Sequence, residues 1–425
     1  MKIERRSWDG SDAPALAAEL RGLGSPLSEV SRDVAEIVAD VEARGDVALL
    51  EIEARFGDAP KALCVPAEDV AGAPDRIDGE LLEALQLAAD NVRAVAEAQI
   101  GEGRSVSLPQ GQTVEIDEVA VGAAGIYAPG GKAAYPSSVL MGCIAANAAG
   151  VERVALATPA GEGGAVSDTV LAAAAIAGAD EVYAVGGAQA IAALALGTET
   201  IASVDVIAGP GNRYVQEAKR QLLGRVGIDG IAGPSELMVI AGETANPDWT
   251  ALDLCAQAEH GDDGLLVAAA VESSFLDRLQ ERLQALAAER PSVTDAPLAL
   301  IDVPDTDAGA ALAEAIAPEH LELAVEDAEL LARSIHTAGC VFIGERGATA
   351  FGDYIAGSNH VLPTGGAGRF QGPLSPSKFR RRVSVVEIPA EAARALAPAG
   401  ATLARAEGFP VHAESMEARA DDQNS

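Results

Sequence analysis

Residues 153–158 read RVALAT, residues 181–185 read EVYAV, and residues 204–208 read VDVIA. Each stretch is a short apolar run that contains β-branched residues, which is typical of a buried strand. A longer helix-forming run follows each one, near residues 169–177, 188–196 and 214–223. Strands that alternate with helices in this way predict βαβ units built on a parallel sheet.

A second series of the same kind follows the first. Its predicted strands lie at residues 237–240, 265–269, 298–301 and 340–343, with helices between them. The predicted fold class is therefore α/β, with two units of similar build. Before these units, apolar residues three and four apart within residues 29–56 predict an amphipathic helix. Beyond Arg380 we predict a strand at residues 383–388, an alanine-rich helix and a loop around His412.

The charge of the chain limits its partners. The 425 residues suffice for at least two domains, and 64 acidic against 30 basic residues give a formal net charge of −34. A field of this sign repels phosphate backbones and anionic lipids, so neither a nucleic acid nor a membrane is expected as a partner. Because the acidic residues are spread along the whole chain, we interpret them as an adaptation to a high-salt cytoplasm.

The N-terminal sequence and the cysteines favour a cytoplasmic location. No apolar stretch follows the first six residues, and no apolar window reaches the roughly 20 residues that a bilayer requires. The cysteines are dispersed without a CxxC pair, as expected of thiols in a reducing compartment; they are Cys64, Cys143, Cys255 and Cys340.

Gln257 and His260 are the first candidates for metal binding. They lie three residues apart near the end of a predicted helix, so both side chains can share one face. With Asp353 and His412 added, amide, imidazole and carboxylate donors would suit Zn²⁺. The spacing alone favours a simpler interpretation, in which Gln257 faces solvent and His260 is a cation at a helix C-terminus.

Glu319 and His320 are the first candidates for acid/base chemistry. They follow Pro318, which is expected to end a helix and fix a loop. An adjacent carboxylate and imidazole can be tuned to exchange protons near neutral pH. A solvated glutamate beside a packing histidine explains the dipeptide equally well.

Glycine-rich turns permit a nucleotide without demonstrating one. They read PGGK at residues 129–132, GGAQ at 186–189 and GPGN at 209–212, and each could open a helix whose N-terminus receives phosphate. None forms a GxGxxG fingerprint, and an ordinary tight turn explains any single one. The chain also lacks GxSxG, Walker and HExxH motifs, which argues against those enzyme classes.

Together these motifs resemble the histidinol dehydrogenase family over nearly the whole chain, from about Val30 to Ser415. The stretches that carry the resemblance are IYAPGG at 126–131, IAGPGNRYV at 207–215, IAGPSE at 231–236, QAEH at 257–260, PEHL at 318–321, GDYIAGSNH at 352–360 and EGFPVHA at 407–413.

The resemblance implies an enzyme that depends on zinc and NAD and oxidises L-histidinol through bound L-histidinal to L-histidine. Its zinc ligands would be Gln257, His260, Asp353 and His412, the last from the partner subunit of a homodimer. Its acid/base pair would be Glu319 and His320, and its NAD contacts Tyr127, Gln189 and Asn212. Its substrate contacts would be Ser235, Gln257, His260, His320, Asp353, Glu407 and His412. His360 matches a further family histidine near the substrate, without a defined role.

The resemblance also implies two Rossmann-like domains with parallel-sheet cores and a C-terminal tail that reaches the partner subunit. The expected boundaries are an N-terminal extension at 1–25, a first domain with the zinc and catalytic residues at 26–105 and 234–375, a second domain with the NAD contacts at 106–233, and a tail at 376–425.

The implied chemistry divides into two halves. His320 would take the hydroxyl proton while hydride leaves to NAD⁺, and Glu319 would activate the water that attacks the bound aldehyde. Glu407 would pair with the substrate ammonium group. We expect no cysteine nucleophile, because neither Cys143 nor Cys255 lies beside a basic residue that would stabilise a thiolate.

Two alternatives stay open at this point. The chain could be a related zinc- and NAD-dependent dehydrogenase that oxidises another primary alcohol, although the presence of Glu319, His320 and Glu407 disfavours this. It could also be an assembly protein that holds zinc without turnover. Formation of NADH from L-histidinol, with and without a chelator, distinguishes these alternatives.

The net charge of −34 generates the first prediction. Thermal stability and activity are expected to require molar salt, because dilute buffer leaves the surface carboxylates repelling one another over a longer screening length. Thermal melts across a salt series measure this. Equal or greater stability in dilute buffer would contradict the high-salt interpretation.

Overall fold

The structure is a computed structural model that describes residues 1–23, 30–56, 59–130 and 134–420. Its strands, in chain order, are β1 Lys2–Ser7, β2 Arg104–Ser107, β3 Thr113–Ala120, β4 Ala123–Tyr127, β5 Arg153–Thr158, β6 Glu181–Ala184, β7 Val206–Ala208, β8 Gly227–Ile228, β9 Glu236–Ala241, β10 Leu265–Ala270, β11 Pro297–Asp302, β12 His320–Ala324, β13 Cys340–Ile343 and β14 Arg380–Glu387. Its α-helices are α1 Ala13–Arg21, α2 Ser31–Arg44, α3 Asp46–Phe56, α4 Ala67–Ala71, α5 Gly79–Ala98, α6 Pro136–Ala148, α7 Asp168–Ala177, α8 Gly187–Leu196, α9 Arg213–Leu222, α10 Pro247–Ala258, α11 Ser273–Glu289, α12 Thr306–Ile316, α13 Ala328–Ala332, α14 Thr349–Tyr354, α15 Ala390–Ala406 and α16 Pro410–Ala420.

The chain divides into two compact units. The larger unit comprises Met1–Gln99 and Val121–Phe379, and the smaller unit comprises Ile100–Ala120 and Arg380–Ser425. Two parallel sheets lie in the larger unit, and an antiparallel sheet lies in the smaller one.

The stretches quoted first from the sequence form one of the parallel sheets, with strand order β6-β5-β4-β7-β8. The predicted strand at 153–158 coincides with β5, while β6 and β7 are shorter than predicted. Helices cover this sheet on both faces, so Leu156 and Ile207 are fully buried, and the strands read as continuous apolar runs.

The second series forms the other parallel sheet, with strand order β1-β11-β10-β9-β12-β13. The predicted α/β class with two parallel-sheet cores is thereby confirmed. Strand β1 was expected to belong to an N-terminal extension, but it pairs with β11 in a register that sets Lys2 opposite Pro297. Met1 and Ile3 pack against the core of this sheet, which explains why the segment joins it.

The helices between residues 31 and 98 cover the sheet that contains β4. Helix α2 contacts α8 and α9, and α5 contacts α6 and α7. Val34 and Val41 of α2 are buried with Ile191 and Leu194 of α8. The structure thus differs from the predicted grouping of residues 26–105 with residues 234–375, because an amphipathic pattern does not tell which sheet a helix covers. The other domain boundaries stay a prediction.

The smaller unit contains the antiparallel sheet β14-β3-β2 and the packed helices α15 and α16. Ala401, Ala404 and Ala413 form the contact between the two helices. The predicted loop around His412 is wrong, because this residue lies in the first turn of α16. Gly408 takes a positive φ of 83° after α15, and Pro410 then starts the new helix.

Within the described residues, no helix is long and apolar enough to cross a membrane.

A buried ion pair holds the turn that follows β7. Lys219 Nζ lies 2.7 Å from Asp229 Oδ1 and donates to the backbone oxygen of Gly209 at 2.6 Å. Asp229 Oδ2 accepts from the backbone N–H of Gly209 at 2.8 Å. Gly209 has a φ of 126°, and a Cβ there would lie 2.0 Å from the backbone oxygen of Tyr127. The turn is therefore fixed by an ion pair on one side and by close backbone contact on the other.

Loss of this ion pair should lower the free energy of unfolding. Lys219→Met leaves Asp229 buried without its cation, and breaking a buried pair in this way costs about 3–5 kcal/mol. Denaturant unfolding measures the loss. Arg225→Met is the matched control, because Arg225 pairs with Glu42 where both side chains are more than half exposed. A similar loss in both variants would contradict the role of the buried pair.

Candidate active site

A cleft of about 720 Å³ in the larger unit gathers most of the predicted site residues. Residues that follow the carboxyl ends of β4 and β7 line one part of it, and residues that precede the amino ends of β9 and β12 line another. The predicted residues that line it are Asn212, Ser235, Gln257, His260, Glu319, His320, Asp353 and His360. Residues far apart in the sequence thus meet at one place.

Glu319 is buried at the bottom of the cleft. Its Oε2 accepts a hydrogen bond from the backbone N–H of Glu236 at 2.8 Å. Burial raises the pKa of Glu319 to about 7, although the neighbouring His320 lowers it. A carboxyl group that titrates near neutrality is suited to proton transfer at physiological pH.

His320 is the first residue of β12. The sequence had suggested a loop at this position, and that prediction is wrong. Helix α12 ends at Ile316 before Pro318, as predicted, and the strand begins two residues after the proline. His320 Nδ1 lies 3.1 Å from the backbone oxygen of Glu236, so Nδ1 carries the proton, since a carbonyl oxygen only accepts. Its Nε2 lies 3.5 Å from Asp353 Oδ1.

The two neighbouring carboxyl groups oppose the effect of burial on His320. Burial lowers the pKa of this imidazole, but Glu319 and Asp353 raise it, and the net pKa is about 9. The pKa of Asp353 is raised by burial, yet it is held below its ordinary value by its hydrogen bond to His320 and by the charges of His360 and His260. Three imidazoles therefore act on a single carboxylate.

Gln257 and His260 lie at the end of α10, close to Asp353. Gln257 is in the last turn of the helix and only 5% exposed, so the expectation that it faces solvent is wrong. Its Nε2 is buried, and the described residues provide it with no hydrogen-bond partner. The exposed His260 donates its backbone N–H to the oxygen of Gln257 at 3.2 Å, which continues the turn beyond the helix.

His360 contacts the backbone of Asp353. Its Nε2 is 3.0 Å from Ser138 Oγ, and its Nδ1 is 2.9 Å from the backbone oxygen of Asp353. Burial lowers its pKa. The His360 imidazole is thereby bonded to the backbone from which the Asp353 side chain extends.

The glycine-rich turns differ in their access to the cleft. The turn at 209–212 lines it, and Asn212 caps α9 by accepting from the backbone N–H groups of Tyr214 and Val215 at 3.0 and 3.3 Å. In the turn at 129–132, Gly131 and Lys132 lie outside the described residues, whereas Pro129 lines the cleft.

The turn at 186–189 already has acceptors from within the chain. Glu53 accepts from the backbone N–H of Gly186 at 2.9 Å and from Gln189 Nε2 at 2.7 Å. The backbone N–H of Gly187 donates to the Tyr127 hydroxyl at 3.1 Å. Tyr127 and Gln189, two predicted NAD contacts, are accordingly buried and do not line the cleft. A carboxylate at the N-terminus of α8 stands where a phosphate would be expected.

The thiols are unsuited to nucleophilic attack, as predicted. Burial raises the pKa of Cys143 to about 12 and also raises that of Cys255. Cys340, which pairs in register with His320, has its pKa raised to about 11 by burial and by Asp353. None of these thiols is a thiolate near neutral pH.

Two predicted residues belong to the smaller unit. Glu407 follows α15 as its cap, and His412 of α16 stacks on Phe409, which directly precedes that helix, at a ring separation of 5.2 Å. Both side chains are exposed. The expectation that His412 serves a partner subunit stays a prediction.

Sequence reasoning missed the residues that support the site. Glu53 and Glu236 are buried carboxylates, and Arg21 reaches Glu236 from α1. Glu236 stands beside Ser235 in a quoted motif and could have been singled out there. Glu53 and Arg21 lie in helices where charged residues are ordinary, so nothing in the sequence distinguished them.

Comparison with known proteins agrees with the resemblance found in the motifs. A sequence model of the family described as histidinol dehydrogenase matches residues 24–420. Histidinol dehydrogenase of Ruegeria pomeroyi is 46% identical over 93% of this chain and 93% of its own length. That of Zymomonas mobilis is 45% identical over 99% of both chains. The crystal structure of histidinol dehydrogenase from Elizabethkingia anophelis matches with a TM-score of 0.91 at 30% identity, covering 100% of this chain and 99% of that one.

Proposed function

The chain belongs to the histidinol dehydrogenase family, and on this premise we propose that it oxidises L-histidinol through bound L-histidinal to L-histidine. Two NAD⁺ accept the two hydrides, and water supplies the second carboxylate oxygen. The observation that carries the proposal is the buried pair of Glu319 and His320 beside Asp353 in a cleft. Formation of NADH from L-histidinol, with and without a chelator, tests it.

The donor set in this cleft fits a zinc ion. The side-chain Nε2 of Gln257 is buried without a hydrogen-bond partner among the described residues. Exchanging the positions of the amide nitrogen and oxygen would direct the oxygen toward a metal ion instead. Gln257, His260 and Asp353 would hold the ion, with His412 of the partner subunit completing the set in a homodimer. Amide oxygen, imidazole and carboxylate are donors that Zn²⁺ accepts. When bound, zinc would supply orientation by taking the imidazole and amino nitrogens of the substrate.

His320 is the base for the alcohol half of the reaction. Because its Nδ1 donates to the backbone oxygen of Glu236, Nε2 is the atom that exchanges a proton with the substrate hydroxyl. Against the lowering effect of burial, Glu319 and Asp353 raise the pKa of this imidazole to about 9, which makes His320 a stronger proton acceptor than a free histidine.

Glu319 is the base for the aldehyde half. Its pKa of about 7 allows it to take a proton from water near neutral pH. Glu407, from the smaller unit, would pair with the substrate ammonium group. Asn212 would donate its amide NH₂ group to NAD, because its oxygen caps α9. Tyr127 and Gln189 would contact NAD only at the edge of their buried turn.

Metal content gives the next prediction. Active protein should contain one zinc per subunit, a chelator should abolish NADH formation, and added zinc should restore it. His260→Asn should lower the zinc content, whereas His336→Asn is the matched control, because His336 is exposed and does not line the cleft. Metal analysis provides the measurement. Active protein without zinc would show that the ligand assignment is wrong.

The two halves of the reaction should separate in variants of Glu319 and His320. Glu319→Gln should slow the oxidation of histidinal more than that of histidinol, because only the aldehyde half consumes water, and His320→Asn should slow both. Positioned acid/base groups contribute about 10²–10⁴-fold. Rates with each substrate measure the losses, and zinc content should stay unchanged. Native-rate oxidation of histidinal by Glu319→Gln, or metal loss in His320→Asn, would remove these roles.

A further inference from the structure

Glu236 is the first residue of β9, and both oxygens of its buried carboxylate accept hydrogen bonds. Oε1 accepts from Arg21 Nη1 at 2.8 Å and from the backbone N–H of Gly365 at 3.1 Å. Oε2 accepts from the backbone N–H of Glu319 at 3.3 Å. Three donors from separate parts of the chain therefore converge on one carboxylate.

The backbone of Glu236 contacts both catalytic side chains. Its N–H donates to Glu319 Oε2 at 2.8 Å, and its carbonyl oxygen accepts from His320 Nδ1 at 3.1 Å. Glu236 and Glu319 are thus joined in both directions, with each backbone N–H donating to the other carboxylate. The side chain of Glu236 fixes the backbone of Glu319, and the backbone of Glu236 fixes the side chains of Glu319 and His320.

Arg21 extends this arrangement to the end of α12. Its Nη2 donates to the backbone oxygen of Ile316 and lies 3.4 Å from that of Ala317. Ala317 has a left-handed φ of 50°, a conformation that costs a non-glycine residue energy and persists only when its surroundings hold it. One guanidinium thus binds the last carbonyls of α12 and the carboxylate that anchors Glu319. Residues 317–319 connect the end of α12 to Glu319, so Arg21 holds this segment at both of its ends.

We propose that Arg21 and Glu236 are positioning residues that hold residues 317–319. They place the Glu319 carboxylate where it can take a proton from the water that attacks the aldehyde. The kinetic part of this inference rests on the proposed function. Neither residue acts on the substrate. Arg21 is the last residue of α1, a helix for which the sequence predicted no role. Its charge partner Glu236 is 5% exposed, so the pair is not a solvated surface contact.

Both carboxylate oxygens of Glu236 accept hydrogen bonds, so the first variant replaces one of these acceptors with a donor. In Glu236→Gln one oxygen is replaced by an NH₂ group, so at least one of the three donors meets another donor. The backbone N–H and carbonyl that hold the Glu319 carboxylate and His320 are unchanged by this substitution. The aldehyde half, which depends on Glu319, should therefore suffer more than the alcohol half.

Arg21 provides the second pair of variants, which keeps the inference testable if Glu236→Gln folds poorly. Arg21→Met removes the charge and the donors, whereas Arg21→Lys keeps the charge but cannot span the carboxylate and both carbonyls. Glu19→Gln is the matched control on the same helix, because Glu19 pairs with Arg6 at an exposed position. The expected order of activity is Glu19→Gln equal to wild type, then Arg21→Lys, then Arg21→Met.

The experiment measures kcat and KM for histidinal and histidinol separately in the zinc-loaded protein. Small misplacement of a catalytic group costs up to about 10²-fold, so we expect kcat for histidinal to fall about 10–10²-fold in Glu236→Gln and Arg21→Met, with KM nearly unchanged. The loss for histidinol should be smaller. Equal losses for both substrates, or no loss, would overturn the positioning role.

Crystal structures of wild type and Arg21→Met provide a result that does not depend on turnover. The inference expects residues 317–319 to move and the Glu319 carboxylate to leave the backbone N–H of Glu236. Superposition of these residues on wild type would overturn it. A wild-type enzyme that forms no NADH from histidinol would instead remove the proposed function, and the crystal structures would still decide whether Arg21 positions Glu319.

Discussion

Glu236, the first residue of β9, and Glu319, which directly precedes β12, hydrogen-bond to each other, because the backbone N–H of each donates to the carboxylate of the other. The parallel register sets His320 opposite Leu237, which brings Glu319 beside Glu236. Buried carboxylates are costly unless they are hydrogen-bonded; each of these two accepts from the other's backbone N–H, and Glu236 also accepts from Arg21. The carbonyl oxygen of Glu236 fixes the proton on His320 Nδ1 and leaves Nε2 facing Asp353, whereas burial raises the pKa of Glu319 against the lowering effect of the hydrogen bond from Glu236. Sheet pairing therefore determines the chemistry of the site directly.

The sequence predicted the elements whose signal is local. Strand β5 was located to the residue, because its apolar run is bounded by polar residues on both sides, and α12 ended before Pro318 as expected. The proposed acid/base pair and three of the four proposed metal ligands come from short motifs, and they meet in one cleft. What could not be predicted is non-local. The pairing of β1 with β11 and the packing of α2 on α8 depend on partners more than 100 residues away.

The sequence also could not predict which of the glycine-rich turns line the cleft. Tyr127 and Gln189 belong to glycine-rich surroundings that suggested a phosphate site, but Glu53 of α3 fills the N-terminus of α8 and buries them. Asn212 begins a helix of similar length and yet lines the cleft. The difference arises from one carboxylate 133 residues before Gly186 in the chain, and no property of either turn encodes it.

Strand β1 has a consequence for synthesis on the ribosome. It is translated before the other strands of its sheet, and its partner β11 lies almost 300 residues later, beginning at Pro297. At about 5–20 residues per second the first strand waits roughly 15–60 s before that partner has been translated. Arg21 waits for Glu236 over much of the same interval. The sheet that contains β4 is complete by Ile228 and can form in the meantime. The rest of the chain should therefore fold beside a finished first core, while β1 stays unpaired and available to chaperones.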